Sequence, residues 1–126
     1  MGRDMSTELG QINIADEVIA VIAGTAATEC YGVVGMASRT IQDGIAELLG
    51  RDNLSRGVEV RLSGEEVVVD LYIIVEYGTK ITEVAHNAME KVRYVVETMT
   101  GLKVANVNVV VQGVRVGQVA KKSRGE

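Results

Sequence analysis

Apolar side chains recur at Ile14, Ala15, Val18, Ile19, Ile22, Ala23, Ala26, Ala27 and Cys30. Steps of three and four residues put them on one face and predict an amphipathic helix. Asn13 is placed to cap it, Asp16 and Glu17 suit its positive end, and Gly32 suits its stop. A second stripe, Ile41, Ile45, Leu48 and Leu49, follows Ser38 and Thr40 and ends at Gly50. It predicts a shorter helix. The period then falls to two. Val58, Val60 and Leu62 alternate with Glu59 and Arg61, a half-buried strand. After a turn at Ser63-Gly64-Glu65-Glu66, residues 67–77 form a longer strand. Val67, Val69, Leu71, Ile73 and Val75 face one way, and Val68, Asp70, Tyr72, Ile74 and Glu76 the other. A third stripe from Ile81 to Met99, between Thr79 and Gly101, predicts another helix. A valine-rich strand over 107–116 closes the pattern.

The predicted order is α-α-β-β-α-β. The economical architecture is a two-layer α/β (α+β) sandwich, a three-stranded mixed sheet with helices mainly on one face. The β-α-β step sets the last strand parallel to the second. Residues 1–11 read as a flexible segment, 12–116 as one domain and 117–126 as a flexible basic tail. The outer sheet face carries Tyr72, Ile74, Val68 and Val110 among polar neighbours. Apolar side chains outside a small core mark a partner surface, so self-association through this face or a strand edge is expected.

Composition narrows the function classes. In 126 residues there is no Pro, Trp or Phe, and only four Tyr. That removes Pro-rich ligands and leaves few flat rings for stacking on bases. The net charge is −4, which suits neither nucleic acid nor an anionic lipid surface. Within it, the second strand and its hairpin are acidic, while Lys103, Arg115, Lys121, Lys122 and Arg124 make the end basic. One cysteine and no apolar leader or 20-residue apolar run suggest a cytoplasmic protein that meets a membrane only peripherally, through a partner.

No catalytic constellation emerges. His86 is the single histidine and has no ligand set around it, so no metal is expected. Cys30 sits on a buried stripe near a helix C-terminus, the wrong setting for a nucleophile. Nucleophile-elbow, dinucleotide and phosphate-loop motifs are absent, and no cofactor is expected. The most informative segment is Gly32-Val33-Val34-Gly35-Met36-Ala37, read as an apolar loop between two helices. Three readings stay open for it: a tight interhelical turn with its valines packed inward, an exposed protein-docking loop, or a KH-like RNA clamp. A small-ligand accessory role is a further alternative.

The helix from Ile12 to Cys30, the GVVGMA segment at 32–37, the acidic hairpin at 57–78 and the closing LKVANVNVVVQGVRV at 102–116 together resemble the alkaline shock protein family. The resemblance implies a non-enzymatic envelope stress response protein. It would self-associate and dock to a membrane-anchored protein partner.

Overall fold

The computed structural model describes residues 2–6, 9–63 and 65–116. Its elements are β1 (Gly2–Ser6), β2 (Gln11–Ala15), α1 (Asp16–Thr28), β3 (Val33–Gln42), β4 (Ile45–Leu48), a 3₁₀ segment (Arg51–Gly57), β5 (Val58–Ser63), β6 (Glu66–Glu76), α2 (Ile81–Thr100) and β7 (Val104–Arg115). β1 and β2 pair antiparallel as a separate hairpin, Gly2 opposite Ala15. The basic tail at 117–126 and the turn residue Gly64 lie outside the described residues.

β6 is the hub of the main sheet. β5 pairs antiparallel with its first half, from Ser63 opposite Glu66 to Val58 opposite Leu71. β3 pairs antiparallel with its last residues, Val33 opposite Val75 and Met36 opposite Ile73. β7 runs parallel along the other edge, as a strand returning through a helix should. α1 and α2 cover one face. Ile19, Ala23 and Ala27 of α1 and Val84, Val92 and Val96 of α2 meet Val67, Val69, Leu71, Ile73 and Val75. Each large aliphatic buried in this way contributes about 1.5–3 kcal/mol.

Two expectations are corrected. The sheet has five strands rather than three, and no helix forms over residues 41–49. Asp43-Gly44 is the reason. Both residues have positive φ, 54° and 74°, and Gln42 faces Ile45 across a two-residue loop. Asp-Gly is a strong signal for such hairpins because their turn needs φ > 0 at both central positions. The helical spacing of Ile41, Ile45 and Leu48 marks no buried stripe, since all three are exposed. Ala46 and Leu49 are the buried members of this stretch. The first helix also starts later than expected. Ala15 precedes it without a side-chain cap, and Asn13 lies within β2.

The β3–β4 hairpin reaches across the sheet face opposite the helices. Gln112 Nε2 donates to Ser38 O at 3.1 Å, and an Arg115 guanidinium nitrogen donates to Ala46 O at 2.7 Å. The hairpin is thereby tied to β7 over the end of β6. Beneath it Ile74 (0% exposed), Ala37 and Ala46 form a second small core, with Val34 packed against it.

Candidate docking surfaces

The segment from Gly32 to Ala37 is the C-terminal exit of α1 followed by the start of β3, so it is not a loop between two helices. Gly32 has φ +88°, and a Cβ there would lie 2.5 Å from Val84 Cγ2 of α2. Only glycine fits both conditions. At Gly35 a Cβ would meet Leu48 Cδ1 at 2.9 Å. Val33 faces Val75 and Gly35 faces Ile74, leaving Val34 as the extra residue of a bulge. The bulge sends Val33 and Met36 into the main core and Val34 and Ala37 into the second one. The RNA-clamp reading required two flanking helices; the second is a strand pair.

The outer face divides the remaining predicted residues. Ile74 is covered by the hairpin, whereas Tyr72 stays half-buried and Val110 is 38% exposed. Tyr72 and Val110 are register partners across β6 and β7. Beside them Asp70, only 8% exposed, accepts hydrogen bonds from Arg61 and from Asn108 Nδ2, both at 2.8 Å. Asn108 Oδ1 accepts in turn from Asn106 Nδ2 at 3.1 Å. A fixed polar ladder therefore crosses β5, β6 and β7, with Val68 on one side of the Asp70–Asn108 pair and the apolar pair Tyr72 and Val110 on the other. Alternation places Asp70 on the outer face and says nothing of its partners. They come from the two flanking strands, β5 and β7.

Other features stay apart from this face. A cavity of about 610 Å³ between α1, β3 and the 3₁₀ segment is lined by Glu17, Thr25, Val34, Arg51 and Asp52 among others. His86 is exposed on α2, 3.2 Å from Glu90. Cys30 lies just past α1, its thiol directed at Ala26 O at 3.7 Å. Burial raises its pKa above the ordinary value of 9.0, with Lys91 opposing and Glu29 adding to the rise. Among the described residues no three His, Cys, Asp or Glu side chains group as metal ligands.

Comparison with known proteins gives these features a setting. A family model of alkaline shock protein 23, with cell envelope-related function, matches residues 4–116. YloU of Bacillus subtilis is 56% identical over 117 residues, covering 92% of this chain and 98% of that protein. Spy1614 of Streptococcus pyogenes is 42% identical, covering 89% and 93%. A stress response regulator gls24 homolog of Streptococcus pyogenes is 28% identical, covering 90% of this chain and 64% of its own length. Among solved structures, the copper form of MamM CTD superposes with a TM-score of 0.48 at 17% identity, over 78% of this chain and 85% of that one. With residues 4–116 matched by the family model, this chain belongs to the alkaline shock protein 23 family, whose function is related to the cell envelope.

Proposed function

We propose that this chain is a non-enzymatic protein of the envelope stress response that acts by self-association and by docking onto a membrane-anchored protein. The observation that carries this reading is the open part of the outer sheet face. Tyr72 and Val110 offer a paired apolar patch, and the adjoining Asp70–Asn108–Asn106 ladder, with Val68 on its far side, is already fixed by internal hydrogen bonds. A partner meeting this face has little side-chain entropy left to remove, which favours binding. Aromatic and apolar groups beside satisfied polar ones resemble the make-up of protein interfaces. The stress-response name of the gls24 homolog supports the physiological setting. Among the described residues no helix is long and apolar enough to cross a membrane, and the proposal assigns membrane attachment to the partner.

The test compares the wild type with Tyr72→Asp and Val110→Asp in envelope-stressed cells, after cross-linking and membrane fractionation. The wild type is expected in the membrane fraction, cross-linked to one membrane protein. Both variants are expected to stay folded and to leave that fraction. Retention of both variants would remove the docking role from this face. A wild type that never reaches the membrane fraction would remove the partner.

A further inference from the structure

The edge of β7 facing away from β6 pairs with no strand among the described residues. From Val104 to Val114 it carries no charge and no proline, the usual devices that keep an edge from pairing. Among the described residues, side chains block only its first residue. Val104 N donates to Glu97 Oε2 at 2.8 Å, and Val104 O accepts from Arg93 at 2.9 Å. These two contacts also locate α2, because they set the strip holding Arg93 and Glu97 against the start of the free edge. A groove of about 460 Å³ runs along that strip, lined by His86, Met89, Glu90, Arg93, Tyr94 and Glu97. Tyr94 is 70% exposed there.

The order of these six residues is self-complementary. Set antiparallel about a point between Lys91 and Val92, two copies of α2 bring Glu90 to Arg93, His86 to Glu97 and Met89 to Tyr94. Each contact occurs twice, as a two-fold axis requires. A parallel arrangement would oppose Glu90 to Glu90 and Arg93 to Arg93, which like-charge repulsion disfavours. We infer that a second copy of this chain docks on the flank formed by α2 and the free edge of β7, with the two α2 helices antiparallel. The inference rests on the self-association part of the proposed function and supplies its surface. It leaves the outer sheet face free for the other partner.

The test is a charge exchange read by sedimentation equilibrium. Glu90→Arg alone opposes Arg to Arg93 of the partner copy, and Arg93→Glu alone opposes Glu to Glu90. Each is expected to weaken association about ten-fold or more. Mixed in equal amounts, the two variants restore both pairs, and association should return to within about three-fold of the wild type. Among the described residues Glu90 pairs only with exposed His86, so Glu90→Arg remains informative even if Arg93→Glu loosens the Val104 contact. Thermal melts confirm that each variant is folded. If the wild type associates but neither variant weakens it, or mixing restores nothing, this interface is wrong and self-association stands elsewhere. A wild type that is monomeric at high micromolar concentration overturns both.

Discussion

Gly32→Ala separates architecture from docking in the GVVGMA segment. An L side chain at φ +88° costs about 1–2 kcal/mol in the left-handed region. The new Cβ would stand 2.5 Å from Val84 Cγ2, whereas carbon atoms in contact sit about 3.5–4.0 Å apart. Val84 or the start of β3 must shift by about an ångström, and overpacking of that kind costs about 1–3 kcal/mol. The sum is about 2–5 kcal/mol. For a chain of 126 residues each kcal/mol lowers Tm by about 4 °C, so a fall of about 8–20 °C is expected.

Val84→Ala completes a double-mutant cycle. Alone it removes a buried side chain and costs about 2–3 kcal/mol. In the double variant the overlap is gone but the backbone strain is not. The pair should cost about 1–3 kcal/mol less than the two singles added together. Chemical denaturation of the four proteins measures this coupling. Additivity within about 0.5 kcal/mol would refute the argument that Gly32 is required by its approach to α2. A Gly32→Ala protein that melts like the wild type yet leaves the membrane fraction would instead make the segment a docking element.

Three further outcomes are expected. Asp70→Ala leaves Asn108 and the half-exposed Arg61 without their acceptor, and denaturation should register a loss of about 1–3 kcal/mol, with Asp70→Asn losing less. Ile74→Ala should cost about 2–5 kcal/mol and speed hydrogen exchange in the β3–β4 hairpin that packs on it, while leaving exchange in α1 and α2 little changed. The folded state holds the Cys30 proton more tightly than the unfolded chain does, so this group's contribution is full below pH 9.0 and is lost as pH rises above it. Stability measured across that range should fall less in Cys30→Ser than in the wild type.

Much of the fold was legible because its elements have one buried face and one wet face. β5, β6, α2 and β7 show clean periods of two or of three to four, and they form near their expected bounds. Gly101 ends α2 at φ +78°, as its place in the sequence suggested. The failure at residues 38–49 has a definite cause. Ile41, Ile45 and Leu48 are exposed in the hairpin, so their spacing reflects no buried face, and the informative pair was Asp43-Gly44. Turn chemistry outranked periodicity there. The Asp70 contacts and the ties from Gln112 and Arg115 join residues 9 to 74 positions apart, and no local pattern encodes such contacts.

Tyr72 and Ile74 show where reading by period reaches its limit. They stand two residues apart on one face of one strand, yet Ile74 is fully covered and Tyr72 is not. Alternation assigns both to the outer face, but it says nothing about what lies over that face. Coverage is decided by β3. The bulge at Val34 turns Ala37 outward, and the tight turn at Asp43-Gly44 returns β4 so that Ala46 joins Ala37 and Ile74 in one cluster. Two alanines let the hairpin backbone approach Ile74 closely, and Gln112 holds it at Ser38. Bulkier residues at positions 37 and 46 would lift the hairpin and open Ile74 to water. The apolar pair Tyr72 and Val110 thus lies on the part of the face that this hairpin is too short to reach, and the proposed docking surface owes its boundary to a turn far from it in sequence.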